Sequence, residues 1–170
     1  MRIIQKEQFA NYITQYERLI ITICLSFTKN YFDAEDLAQE TFLSAYRHFD
    51  SFDGKNPKAW LTSIAANKCR DFLKSPARKT DSLSDEEINC LEDYRSSPEQ
   101  ELIQKDTAGR IHNLCSQLKE PYKTTATRYF CDNVKLSELS HETGQNLKTL
   151  ETQLYRAKKL LKALWKEESA

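Results

Sequence analysis

Apolar residues recur at steps of three and four along most of this chain, and little interrupts them. Phe9, Tyr12, Ile13, Tyr16, Leu19, Ile20, Ile23 and Phe27 fall on one face of a single helix. Residues that turn a backbone are scarce: 3 glycines and 4 prolines among 170 residues, where average usage is roughly 12% for the two together. A β-sandwich or barrel needs a turn every few residues, so the shortage argues against both. It also excludes collagen-like and Gly-loop-rich architectures. With 39% hydrophobic and 29% charged residues the chain is soluble and foldable. The expected fold class is all-α.

The helical pattern comes in two blocks. After the first helix, Asp33 is expected to cap a second, with Asp36 three residues on, running through Leu37, Phe42, Ala45, Tyr46 and Phe49. Residues 50–57 read as a loop. Pro57 suits the first turn of a third helix carrying Trp60, Leu61, Ile64, Ala65, Cys69, Phe72 and Leu73. Residues 1–76 thus hold enough apolar groups for one small helical domain. Residues 77–97 are acidic, Ser-punctuated and poor in core candidates, which predicts a flexible linker. Within it, Leu83, Ile88 and Leu91 have the spacing of a short docking helix. From Pro98 the period resumes with Leu102, Ile111, Leu114 and Leu118, then a helix over about 121–131 and two helices across a tight turn. Residues 98–170 form the second expected domain.

The formal charge is zero, from 25 basic and 25 acidic side chains, yet the sign alternates along the chain. Residues 31–52 sum to −4 (one basic, five acidic), 53–79 to +5 (seven, two), 80–97 to −5 (one, six) and 146–170 to +3 (six, three). Two basic stretches set between acidic ones point to two anion-binding surfaces, plus surfaces for something basic.

Cys24, Cys69, Cys90, Cys115 and Cys131 are odd in number and widely spaced, which reads as reduced thiols in a cytosolic protein. His112 and Cys115 have ligand spacing, but two further ligands have no source, so no metal or cofactor site is expected. No nucleophile–base pair or P-loop points to an enzyme. The longest apolar stretch, Leu19 to Phe27, falls far short of the ~20 residues that cross a bilayer. The N-terminus, MRIIQKEQF, is too polar for a signal peptide.

The last two helices carry the sharpest signal. Gly144 sits where a tight turn requires positive φ, and Asn146 is a good N-cap. Leu147, Leu150, Leu154, Ala157, Leu161 and Leu164 make an apolar stripe. Lys148, Thr152, Tyr155 and Lys159 lie opposite it, with Arg156 beside them. Such a face fits a DNA major groove, where Lys and Arg meet phosphate or guanine, and Thr and Asn meet base edges or sugar. The alternative is a solvated face on a terminal bundle helix.

Three segments resemble one family. YFDAEDLAQETFLSAYRHF resembles region 2.2 of the group IV (extracytoplasmic-function, ECF) sigma factors of bacterial RNA polymerase, within the sigma-70 family. FDGKNPKAWLTSIAANKCRDFLK resembles their regions 2.3 and 2.4. LKEPYKTTATRYFCDNVKLSELSHETGQNLKTLETQLYRAKKLLKAL resembles their region 4. The likeness spans roughly residues 8–165. It implies a region 2 bundle and a region 4 helix-turn-helix domain joined by the linker, and a cytoplasmic initiation factor that binds the clamp and flap of core RNA polymerase and directs it to promoter DNA.

The same likeness implies that Asp33, Asp36, Leu37, Gln39, Glu40 and Phe42 dock on the polymerase clamp. An apolar centre with an acidic rim suits a basic helical partner; a second reading puts Leu37 and Phe42 in the core and leaves the acids facing solvent. Lys55, Asn56, Lys58, Trp60, Asn67, Lys68, Arg70 and Lys74 would meet the −10 strand. Trp60 is equally suited to stacking on a base and to packing beside Leu61 and Ile64. Asn146, Lys148, Thr149, Thr152, Tyr155, Arg156 and Lys159 would meet the −35 element. An anti-sigma protein, often membrane-anchored, is the further partner implied.

This chain departs from the family pattern at three places. Glu151 and Gln153 stand where basic residues are usual, which predicts a weaker or altered −35 contact. After Leu73 the basic run is thin. His141, Glu142 and Thr143 replace residues that are commonly apolar, which predicts loose packing of the first helix of the motif. The rival readings are a stand-alone helix-turn-helix regulator and a pure interaction protein without DNA contact.

Overall fold

The structure, a computed structural model, describes the backbone of residues 3–75 and 98–169, with side chains over 3–75 and 106–169. The expected linker, with Leu83, Ile88 and Leu91, lies outside the described residues, as does Cys90. Every regular element among the described residues is helical. The chain divides into two compact units, Met1–Ser96 and Ser97–Ala170.

The first unit is a three-helix bundle of α1 (Ile3–Thr28), α2 (Tyr31–Arg47) and α3 (Pro57–Lys74), with one 3₁₀ turn at Phe49–Ser51. The turn from α1 to α2 is built from three polar residues. Lys29 takes positive φ, at 54°. The Thr28 hydroxyl donates to the Asn30 carbonyl at 2.9 Å, and Asn30 Oδ1 accepts from the Phe32 N–H at 3.2 Å. Asn30 is therefore the N-cap of α2, and Asp33 is not. Asn30 has the extended backbone that a cap needs. Asp33 sits inside the first turn, where its charge faces the helix dipole.

Between the helices lies a core of Phe9, Ile20, Ile23, Cys24, Phe27, Leu37, Phe42, Phe49, Leu61, Ala65 and Cys69, all buried. Each large side chain removed from water here stabilises the bundle by about 1.5–3 kcal/mol. Thr41 is fully buried, and its hydroxyl is satisfied by the Leu37 carbonyl at 2.8 Å. Aromatic rings close the far end: Phe9 meets Tyr46 and Phe49 edge-on, with centroids 5.3 and 5.2 Å apart. Pro57 opens α3 as expected, and Asn56 caps it.

The second unit holds α4 (Pro98–Ser116), a short α5 (Tyr122–Ala126), one π-helical turn (Thr127–Cys131), α6 (Leu136–Thr143) and α7 (Leu147–Ser169). Gly144 ends α6 with φ of 69°, and its N–H returns to the Ser140 carbonyl at 3.0 Å. Asn146 caps α7 through Oδ1, which accepts from the Lys148 N–H at 2.9 Å. The buried stripe of α7 is Leu150, Leu154, Ala157, Leu161 and Trp165. It is displaced from the expected stripe at both ends: Leu147 is 40% exposed, and Trp165 is buried where Leu164 was expected. Arg110 explains the second change. Its guanidinium lies 3.7 Å from the centre of a Trp165 ring, and it also donates to the Trp165 carbonyl at 2.9 Å and to Glu168 at 3.1 Å. That clamp joins α4 to the end of α7.

Among the described cysteines, Cys24, Cys69 and Cys115 are buried and Cys131 is half-buried. Cys24 of α1 hydrogen-bonds to Cys69 of α3, and both are fully buried. In the second unit, burial first and then its neighbour Cys131 push the Cys115 thiol up to about 12 from an ordinary 9.0. His112 is exposed while Cys115 is buried, so the pair shares no surface.

Two outcomes follow from these placements. Gly144→Ala should cost about 1 kcal/mol of stability in urea unfolding, because alanine resists positive φ. Cys115 should resist alkylation in the native protein at pH 8 and react once unfolded, as peptide mapping would read. The sign of its pH effect is fixed by the raised value. Its contribution is complete below 9.0 and is lost as pH climbs toward about 12, since only the unfolded thiol ionises there.

Candidate functional site

The strongest convergence of predicted residues is on α7. Burying one stripe leaves Lys148, Thr149, Thr152, Tyr155, Arg156 and Lys159 exposed on the opposite side. Lys148, Thr152, Tyr155 and Lys159 follow steps of 4, 3 and 4, so they form one row along the helix. Tyr155 is 64% exposed, and the Lys159 ammonium lies 5.5 Å from its ring centre. The row is thus two cations, a hydroxyl with a methyl group, and an aromatic ring. These are the groups that meet phosphates and base edges. Asn146 stands at the head of the row, but its side-chain oxygen is occupied by the cap.

Glu151 is exposed on the flank of the row. Gln153 has a different job. Its Oε1 accepts from the Thr125 hydroxyl at 2.8 Å, and its Nε2 donates to Gln145 Oε1 at 3.3 Å. It ties α7 to α5 and to the turn, which accounts for a neutral amide at that position. Nor is α6 loose. Leu139 is buried, and Glu142 accepts from Arg128 of the π-helical turn at 2.5 Å. Arg128 also donates to Asp132 at 3.2 Å. The two carboxylates, Glu142 foremost, hold the guanidinium more firmly protonated than usual.

On α2 the predicted docking residues separate into two groups. Asp33, Leu37 and Phe42 are buried. Asp36 is half-buried, while Gln39 and Glu40 are exposed; Gln39 donates to Glu35 at 2.9 Å. Leu43 is 57% exposed and stands four residues from Gln39 and three from Glu40. Its place was legible in the sequence as a leucine out of step with the Leu37–Phe42–Ala45 stripe. Asp36, Gln39, Glu40 and Leu43 share one face, an oily centre with acidic neighbours.

The residues predicted to meet the −10 strand fall in two clusters. Lys55 in the loop before α3 and Lys58 in the first turn of α3 are exposed. The loop itself is held by its own polar groups. Asp53 accepts from the Lys55 N–H at 3.0 Å, Gly54 takes φ of 78°, and Asn56 Oδ1 accepts from the Ala59 N–H at 3.1 Å. Trp60 is half-buried and stacked on Phe52, with centroids 4.2 Å and planes 11° apart, and Phe49 lies 6.2 Å away. Trp60 therefore packs against Phe52 and Phe49. Further along α3, Asn67, Arg70 and Lys74 line up with exposed Ser63 at steps of 4, 3 and 4. Asn67 accepts from Arg70 at 2.9 Å. Lys68 lies off that line and is half-buried.

Among the described residues no group of three His, Cys, Asp or Glu side chains is placed to hold a metal ion, and no helix is long and apolar enough to cross a membrane.

Comparison with known proteins gives the frame for these faces. Residues 12–79 match the family model of sigma-70 region 2. The ECF RNA polymerase sigma factor SigM of Bacillus subtilis is 31% identical over 150 residues, covering 88% of this chain and 90% of SigM. RNA polymerase sigma factor SigV of the same organism is 32% identical over 153 residues, covering 88% of this chain and 86% of SigV. A chain in the solved structure of the RsbN–BldN complex is 22% identical, at a TM-score of 0.40, with 94% of this chain and 92% of that chain covered. The agreement with SigM and SigV runs along nearly the whole chain, through both helical units. This protein belongs to the ECF sigma factors of RNA polymerase.

Proposed function

We propose that the two helical units divide the work of initiation between them. ECF sigma factors join core RNA polymerase and direct it to particular promoters, and they catalyse no covalent step. In the division of labour inferred here, residues 1–76 dock on the polymerase clamp and hold the −10 strand. Residues 98–170 read the −35 duplex and meet the flap, and residues 77–97 connect the two. The observation that carries this reading is the α7 row. A cationic, hydroxyl-bearing helix face stands clear of the core behind a glycine turn, as major-groove reading demands.

On α2 the docking face is narrower than the sequence implied. Leu37 and Phe42 belong to the core, so they support the surface from beneath. Asp36, Gln39, Glu40 and Leu43 form the part that a basic helical partner could touch. For the −10 strand, Lys55 and Lys58 supply charge at the loop, and Arg70 and Lys74 supply it along α3. Asn56 shapes the loop by capping, Asn67 orients Arg70, and Trp60 stiffens the loop base through its stack on Phe52.

Melting on this view draws on binding energy for splayed single-stranded bases. An anti-sigma protein would silence the factor by covering the α2 and α7 faces, and the site of action is the bacterial cytoplasm. The stand-alone regulator is not favoured, because relatives matching 88% of the chain are sigma factors.

Lys148→Ala and Arg156→Ala should each weaken −35-dependent transcription while leaving affinity for core polymerase unchanged. If the lost contact is to phosphate, the log–log salt slope of DNA binding should fall by about 1 for each. Equal loss of core affinity would overturn the assignment of α7. Leu43→Ala should lower core affinity about tenfold with no loss of helicity, since the side chain is exposed. Leu37→Ala is the contrasting control: its burial predicts a stability loss of about 2–5 kcal/mol. Unchanged core affinity in Leu43→Ala would remove α2 from the docking surface.

A further inference from the structure

The helix-turn-helix is tied to the segment before it by polar side chains where apolar packing is missing. Leu139 is the one buried residue of α6. His141, Glu142 and Thr143 are exposed. What reaches α6 from outside is Arg128, from the π-helical turn 14 residues earlier. Its Nη2 donates to Glu142 at 2.5 Å and its Nη1 to Asp132 at 3.2 Å. A planar guanidinium can hold two carboxylates at once in fixed geometry, which an ammonium cannot.

The position of this bridge matters more than its contribution to stability. All three side chains are between a third and just over half exposed, and ion pairs this wet add little to folding free energy. Geometry is a different matter. Glu142 stands two residues before Gly144, the hinge into α7. A second tie, Thr125 to Gln153 to Gln145, crosses the same junction. The continuous segment of α5 and the π-helical turn is thereby linked to both sides of the hinge, through Thr125 and Arg128.

We propose that Arg128 is a positioning residue for −35 recognition: bridging Asp132 and Glu142, it sets the angle at which α6 and the hinge deliver α7 to the major groove, without touching DNA itself. This rests on the reading of α7 given above. The competing role for an exposed arginine near a reading helix is a direct phosphate contact. The two roles differ in what they ask of Glu142. A positioning arginine needs its carboxylate, whereas a phosphate-binding arginine is only hindered by it.

A double-mutant cycle separates them, using full-length Arg128→Gln, Glu142→Gln and the double variant with core polymerase. The readouts are run-off transcription from a −35-dependent promoter, affinity for core polymerase and thermal melting. Positioning predicts that each single variant loses about threefold or more in −35-dependent transcription, and that the double loses no more than the worse single. Core affinity and melting should stay near wild type. If Arg128→Gln loses activity while Glu142→Gln keeps or gains it, Arg128 contacts phosphate and the proposal fails. Additive losses also overturn it. Should Arg128→Gln melt early, Glu142→Gln alone still decides: wild-type transcription from that variant sinks the proposal. A wild-type protein that drives no −35-dependent transcription defeats the reading of α7 itself, which is a separate result.

Discussion

Burial of one stripe on each long helix is the constraint from which the rest follows. A helix that sinks Leu150, Leu154, Ala157, Leu161 and Trp165 has no freedom left about its own axis. Its opposite residues must then face water, whatever they are. The same holds for α3, where sinking Leu61, Ala65 and Cys69 turns Asn67, Arg70 and Lys74 outward. Apolar packing decides orientation, and the polar residues inherit it. A surface that must meet an extended, charged partner can be built this way from single helices, with no pocket.

Those features were legible in the sequence wherever a single residue type decides the local backbone. Gly144 announced a left-handed turn, Asn146 a cap and Pro57 a first turn, and all three stand where expected. The reading failed where several residues compete for one role. Asn30, Asp33 and Asp36 are all good capping types, and the sequence has no term for the Thr28–Lys29–Asn30 turn that selects the first. The stripe on α7 drifted at its end because Trp165 is captured by Arg110, a partner 55 residues away. Leu37 and Phe42 illustrate a third cause. Leucine and phenylalanine suit the oily centre of a docking face and a helical core equally, and only the packing of the three helices shows that these two are buried.

Gln153 and Glu142 carry a related lesson. Both looked like departures that weaken the DNA-reading module. In the fold each is a strut, one to Thr125 and one to Arg128. A change of residue type on a reading helix is informative about DNA only once the side chain is known to point there. The charge map shows the same point at larger scale. A net charge of zero conceals an acidic face on α2 and a basic one on α7, because attraction between surfaces depends on local sign.

The chain contains 2 tryptophans, and the fold assigns one to each unit. Trp60 lies flat against a phenylalanine at the edge of the first bundle, and Trp165 is enclosed under a guanidinium in the second. Their indoles occupy environments of different polarity, so each should emit at its own wavelength. The molecule thus carries an intrinsic optical label on either half, and replacing one ring by phenylalanine would let the other be watched alone.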